Sequence, residues 1–311
     1  MEDLSPLNRL LENGKFRFER LLLNDIDNLP VIKINAPDIV DQEICLFHRD
    51  VPTGDDYFRI LHLAISHGLS ERRSTPVVRF ADGEYAFYEY DLSCNGLYQQ
   101  AESVRAIREA MSSHTDALRI LASSGMLAPL IFPGNITGET KKLFKLFHRS
   151  KEAPSAFTFL KFLFQNGIDL TSENYVPFYV VYAYLTSEDF IRLVDGKRVC
   201  ILNAEFNGDS CTDWFARFSS QPDLSFVETP AEYVATRWKS MKEDILKQIS
   251  PETDLCIVGA GIGSLPVCVD VAMRFSIPAI DAGHALNMMN DRVDKSNGAR
   301  LYTIRKTKNT D

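Results

Sequence analysis

Three things are scarce in this 311-residue chain, and each scarcity removes a class of protein. Basic charge is the first: 34 Lys and Arg stand against 42 Asp and Glu, a net charge of -8. A protein that coats nucleic acid needs a basic footprint against the phosphates, so nucleic acid is excluded as a partner, although a local pocket for a small phosphorylated ligand is not. Long apolar runs are the second: the longest, residues 176–185, is far short of the ~20 residues of a membrane span. The opening Met1-Glu2-Asp3-Leu4 also lacks the basic-then-apolar order of a signal peptide. Paired cysteines are the third. Cys45, Cys94, Cys200, Cys211, Cys256 and Cys268 are scattered, with no C-x-x-C pair. That spacing argues against a structural zinc site and for a reduced, cytoplasmic setting. Internal repeats and low-complexity stretches are absent as well.

What is present is an ordinary globular balance, 45% hydrophobic and 24% charged. A chain of this length buries about 75% of the surface it exposes when unfolded, so a large core needs no staples. Aromatic residues, 11% of the chain, leave material for a homo-oligomer interface that no pattern localises.

Residues 1–55 read as an N-terminal extension packed on the core, with short helices suggested around Leu7, Leu10 and Leu11 and around Phe18, Leu21 and Leu22. Pro30, Pro37 and Pro52 interrupt the rest of the extension. Residues 56–311 then alternate between helix and strand. The spacing predicts helices over 57–69, 97–111, 141–147, 156–164, 213–218 and 265–275. It predicts strands over 76–80, 84–90, 117–122, 198–203, 224–227, 254–258 and 277–280, and a buried strand over 175–185. Thr229-Pro230-Ala231-Glu232 reads as a capping box opening a helix with Thr229 as N-cap, Pro230 in its first turn, and Val234, Trp238, Met241, Ile245 and Ile249 on its buried face. The sum is an α/β, Rossmann-like fold: a mainly parallel sheet with helices on both faces, whose ligands sit at the carboxyl ends of the strands.

That rule points to two loops. In Arg79-Phe80-Ala81-Asp82-Gly83-Glu84, two carboxylates flank a glycine just past a strand. Such a pair suits a hard divalent cation, Mn²⁺ or Mg²⁺, that also holds substrate phosphates, and Arg79 offers a fixed charge nearby. The competing explanation is a plain Asp-Gly turn. In Gly259-Ala260-Gly261-Ile262-Gly263-Ser264, glycines let backbone approach a phosphate or ribose at a helix start. Asp281 lies 22 positions past Gly259, near the ~20-residue offset of a ribose-binding acid. Tight strand-to-helix packing explains the same glycines without a ligand. His284, three residues past Asp281, is placed for an acid/base or ligand role. A further run, Lys141, Lys142, Lys145, Arg149 and Lys151 among apolar residues, reads as a solvated helix face.

Together the two loops resemble the GT-D glycosyltransferase family, whose catalytic domain opens with an Arg-Phe-Gly-Asp-Gly-Glu-like motif and closes with a small-residue loop and an Asp-x-Gly-His element. Here these are residues 79–84, with Ala81 for the first glycine, 256–263, and Asp281-Ala282-Gly283-His284. The resemblance covers residues 57–290 and implies sugar transfer from a nucleotide-diphosphate donor, such as a UDP-sugar, to a glycan or glycoprotein acceptor. It implies that Asp82 and Glu84 hold the metal on the donor diphosphate, with Arg79 offsetting the same charge. Gly259, Gly261 and Gly263 line the nucleotide side, Asp281 stands with them, and His284 lies near the phosphates or acceptor. Glu84 and Asp281 are the candidates for a general base. Two alternatives stand beside it: a Rossmann enzyme binding NAD(P) or S-adenosylmethionine at Gly259, and a non-catalytic nucleotide-sugar-binding module. Only 30 residues follow Asp281, whereas a dinucleotide fold places its glycine loop in the first βα turn.

Overall fold

The structure, a computed structural model, describes residues 10, 15–21, 44–92, 99–136 and 156–291 in full and the backbone alone of 31–34 and 301–304. The chain opens with β1 (Phe16–Arg20), β2 (Val31–Ile34) and β3 (Ile44–His48). β1 and β3 pair antiparallel, as do β2 and the late strand at Leu301–Ile304. Phe18 is therefore in a strand, where a helix is expected from the leucine spacing; it sits opposite Leu46 of β3, and cross-strand pairing overrides the local pattern. β3 docks on the main body through Leu46 N–H to Ile131 O, and Tyr175 Oη donates to Leu46 O at 2.6 Å.

Helix α1 (Gly54–Glu71) comes next, then β4 (Thr75–Phe80), α2 (Asp82–Tyr88), α3 (Val104–Ser124), β5 (Met126–Pro129) and the single turn α4 (Pro133–Ile136). After these lie α5 (Ala156–Gln165), α6 (Phe178–Leu185), α7 (Glu188–Leu193), β6 (Arg198–Asn203), α8 (Gly208–Ala216) and β7 (Asp223–Glu228). The last part holds α9 (Val234–Leu246), β8 (Leu255–Gly259), α10 (Ser264–Phe275), β9 (Pro278–Asp281) and α11 (His284–Met289). Six strands form one parallel sheet in the order β5-β4-β9-β8-β6-β7. Helices flank it in two packed groups, α3 with α9 and α10, and α1 with α6 and α7. The fold is α/β and Rossmann-like, as the alternating pattern predicts. No helix among the described residues is long and apolar enough to cross a membrane.

Sequence patterning differs from the structure at five further places, each for a physical reason, the first being the helix expected from 97, which starts at Val104 because Ser103 Oγ caps it by accepting from Ala106 N–H at 3.1 Å. Residues 84–88 are helical rather than extended, because Glu84 Oε2 accepts from Ala81 N–H at 2.8 Å and closes the first turn of α2. Residues 117–122 continue α3, whose buried Ile107, Ala110, His114, Leu118 and Leu121 keep helical spacing to its end. The run 175–185 begins extended, with Tyr175 bridging Leu127, but turns helical at Phe178 after Pro177. α6 is apolar on nearly every side, so no helical period is visible in its sequence. Finally, α9 starts at Val234, not Pro230: Tyr233 takes the cap position with φ +64°, and Thr229 N–H is already bonded to Asn203 O. The predicted 141–147 helix, its basic residues through Lys151, and Cys94 lie outside the described residues. The other five cysteines are buried free thiols.

Register aligns the carboxyl ends of the strands. Phe80 pairs with Pro129, Val77 with Ile280, Val258 with Asp281, and Asn203 with both Gly259 and Glu228. The chain leaves β6 toward β7 but leaves β8 the other way, toward β9, so β6 and β8 bracket a topological switch point.

Candidate active site at the β4/β9 mouth

β4 and β9 are neighbours, so motifs about two hundred positions apart meet at one edge. The joint is a buried ion pair. Arg79 Nη2 lies 2.9 Å from Asp281 Oδ2, Arg79 Nε donates to Asp281 O at 3.0 Å, and Arg79 N–H donates to Asp281 Oδ2 at 3.2 Å. Both residues are more than nine-tenths buried. Burial works against the guanidinium charge, but Asp281, through its charge and its hydrogen bond, together with Tyr182 and Glu84 outweighs it and keeps Arg79 protonated. The guanidinium also stacks on Tyr182, 4.2 Å from the ring centroid, and on Phe178 at 5.3 Å. Gly283, at φ +43°, closes the other side; a Cβ there would lie 2.0 Å from Arg79 Nη2.

This pairing changes what two expected residues can do. The Arg79 charge is neutralised internally by Asp281 and does not stand open for a diphosphate. Asp281 Oδ2 is engaged twice by Arg79, so in this arrangement its carboxylate serves first to hold the two motifs together. Tyr182 completes the joint, its buried ring lying under the Arg79 guanidinium. Sequence reasoning missed Tyr182 because it lies in the apolar run whose composition predicts a strand, and nothing in the spacing separates it from core aromatics.

The open groups stand around this joint. Asp82 is exposed in the first turn of α2. Glu84, on the same turn, is partly exposed, yet its carboxyl is pushed up to about 7. Burial is the main cause and the Asp281 charge adds to it, against the Ala81 N–H bond and the Arg79 charge. His284 is exposed as the first residue of α11, with Nδ1 3.3 Å from Asn287 Nδ2. No group of three or more His, Cys, Asp or Glu among the described residues is arranged to hold a metal. Asp82 stands open on this turn, whereas Glu84 has Oε2 held by the Ala81 N–H, so a divalent cation there would have Asp82, the second Glu84 oxygen, waters and a bound phosphate as its ligands.

The glycine turn after β8 is different. Gln100 Oε1 accepts from Ile262 N–H at 3.1 Å, and a Cβ on Gly261, whose φ is +54°, would lie 2.5 Å from the same oxygen. A Cβ on Gly263 would lie 2.5 Å from Val234 Cγ1, and one on Gly259 2.7 Å from Leu286 Cδ1. Ser264 Oγ caps the turn by accepting from Ala260 N–H at 3.1 Å. Every space that the glycines open is filled by this chain. The strand-to-helix packing explanation therefore fits all three glycines in this arrangement.

Comparison with known proteins adds nothing to this geometry. No protein-family model, curated protein or solved structure matches the chain.

Two features tie the mouth to the rest of the molecule. Buried His114 has Nε2 2.8 Å from Ala235 O, so that nitrogen carries the proton and Nδ1 is left to accept from Tyr88 Oη at 3.4 Å. Through it, α3 fastens the helix bearing Asp82 and Glu84 to the start of α9. Tyr85 Oη donates to Leu130 O at 2.8 Å, fixing the same helix to the end of β5.

Proposed function

We propose that the chain is a metal-dependent glycosyltransferase that takes a sugar from a nucleoside-diphosphate donor at the β4/β9 mouth and passes it to a glycan or glycoprotein acceptor. One observation carries the reading: the Arg79–Asp281 pair joins two distant motifs at the carboxyl edge of a parallel sheet, with Asp82, Glu84 and His284 left around it. Charge supports it too. With Arg79 cancelled by Asp281, the remaining carboxylates make the mouth anionic, so a diphosphate needs a cation to enter.

Asp82 and Glu84 would hold that cation, Mn²⁺ or Mg²⁺. When bound it would supply Lewis-acid charge to the departing diphosphate. The chain's own residues do the rest. Arg79, Tyr182 and Gly283 set the position of the 281–284 turn and hence of His284. With Asp82 and Glu84 on the cation, His284, exposed at the start of α11, is the acid/base candidate left at the mouth. The filled glycine turn counts against a dinucleotide or S-adenosylmethionine bound at Gly259.

Calorimetry with nucleoside diphosphates, nucleotide sugars, NAD(P)H and S-adenosylmethionine, each with and without Mn²⁺, tests the reading. The expected result is diphosphate binding that requires metal and is lost in Asp82→Asn. Tight metal-independent NAD(P)H or S-adenosylmethionine binding would overturn it. Metal-dependent binding with no turnover on any acceptor pool would favour a binding module instead.

A further inference from the structure

We infer that the open edge of the parallel sheet, the outer side of β7, is the pairing surface for a second copy of this chain, the two β7 strands lying antiparallel about a two-fold axis at Ser225. This interface is independent of the reaction proposed above.

The two edges of the sheet end differently. At β5 the edge is covered: Leu127 N–H donates to Asn174 O at 2.7 Å, and Val176 N–H donates to Leu127 O at 3.1 Å. At β7 it is open. Asp223 N–H donates to Lys197 O at 2.8 Å and Thr229 N–H to Asn203 O at 3.0 Å, so the odd-numbered residues of β7 turn their backbone groups toward β6. Alternation along the strand then aims the N–H and C=O of Leu224, Phe226 and Glu228 outward. None of these groups has a hydrogen-bond partner among the described residues.

Proteins commonly protect such an edge with Lys, Pro or a bulge. The strand Asp223-Leu224-Ser225-Phe226-Val227-Glu228 has no Lys and no Pro, and its register with β6 runs through without a bulge. Leu224 and Phe226 are only partly buried, and the Phe226 ring is backed by Phe206, with centroids 5.0 Å apart.

Strand parity and charge select the occupant. Only outward-facing residues can exchange backbone bonds across the new seam, so an odd-numbered residue cannot stand opposite an even-numbered one. That excludes the register with Asp223 opposite Glu228, in which like charges would meet. A two-fold axis at Ser225 satisfies the rule. It sets Leu224 of each copy opposite Phe226 of the other, as hydrogen-bonded pairs with apolar side chains together on one face. Asp223 then faces Val227, and Glu228 faces Pro222. Arg198 is level with Asp223 in the sheet, so Lys197 is level with Pro222, and the exposed Lys197 of each copy comes level with the exposed Glu228 of the other. Neither Lys197 nor Glu228 has an ion-pair partner among the described residues. Moving the axis to Phe226 would set Lys197 level with Pro230 and lose that charge pair. At Ser225 the edge is complementary to itself in backbone bonds, apolar side chains and charge. A strand of six residues makes a small seam, so the pair forms reversibly.

The test is sedimentation velocity on the full chain over a wide concentration range, with amide hydrogen exchange at each concentration. The expected result is a monomer–dimer equilibrium in which the amides of Leu224, Phe226 and Glu228 gain protection as the dimer fills. Phe226→Pro removes an outward N–H without touching a bond to β6, and weakens the dimer about tenfold or more. Leu224→Lys weakens it by setting a charge in the seam, and keeps the test valid if thermal unfolding shows the proline variant to be unstable. Glu228→Lys also weakens the dimer, and adding Lys197→Glu restores it. A monomer at every concentration would leave this edge to a foreign strand and overturn the inference. A dimer that a folded Phe226→Pro or Leu224→Lys leaves intact, protection gained only outside residues 224–228, or a charge swap that restores nothing would overturn it as well.

Discussion

The two glycine-containing loops at the carboxyl edge look alike in sequence and are built for opposite purposes. In the β4 loop, a Cβ on Gly83 would meet nothing within 4 Å, and the neighbouring carboxylates reach solvent. In the β8 loop, every added Cβ would strike Gln100, Val234 or Leu286. Glycine next to charge marks an open turn here, and glycine next to glycine marks close packing. A glycine pattern alone therefore does not distinguish a ligand cradle from a packing contact; the neighbours that fill the space decide it.

The sharpest way to break this contrast is at the joint under the open loop. Arg79→Met leaves Asp281 buried without its partner, and chemical denaturation should show a loss of about 3–5 kcal/mol. A loss below about 1 kcal/mol would mean that the pair is solvated and does not hold the two motifs together.

Acid tests the tie between the two regions. Burial disfavours the His114 imidazolium, the Ala235 carbonyl offsets this only in part, and the side chain is lowered to about 4. Between the unfolded value near 6.5 and about 4, the unfolded chain binds the extra proton. Stability is thus full above pH 6.5 and falls as pH drops toward 4, by about 3 kcal/mol from this one group. Unfolding curves across that range should show the slope in the wild type and a flatter one in His114→Gln. Equal slopes would remove His114 from the account.

The glycines themselves give the smaller effects. Gly263→Ala drives a methyl against Val234 Cγ1 and Ala235 N, and overpacking should cost about 1–3 kcal/mol. Gly83→Ala has open space in the first turn of α2 and should be neutral or stabilising by up to about 1 kcal/mol. Reversal of that order in urea titrations would reverse the assignment of the two loops.

Much of the fold is legible in the sequence because its signals are local. The strands at 75–80, 198–203 and 255–259 and helix α10 follow from apolar runs and turn residues, and alternation of the two implies the parallel sheet. α6 is not legible, since a helix buried on all sides shows no period. The start of α9 is hidden because Thr229-Pro230 has the form of a cap, while Asn203 O takes the Thr229 N–H. At the site, sequence order brings out Arg79, Asp82, Glu84, Asp281 and His284. It does not show that Arg79 and Asp281 satisfy each other, nor that Tyr182 and Gln100 close the two regions. Those contacts come from segments far away in the chain, and no spacing rule reports them.

The most direct test of the central claim, that the β4/β9 mouth rather than the glycine turn receives the metal-bound diphosphate, is paramagnetic broadening of backbone amide signals by Mn²⁺ in the presence of UDP. The predicted result is broadening centred on residues 81–85 and 282–285, weak at 261–263, and abolished by Asp82→Asn. Broadening centred on 259–264, or none at any concentration that saturates UDP, would contradict it.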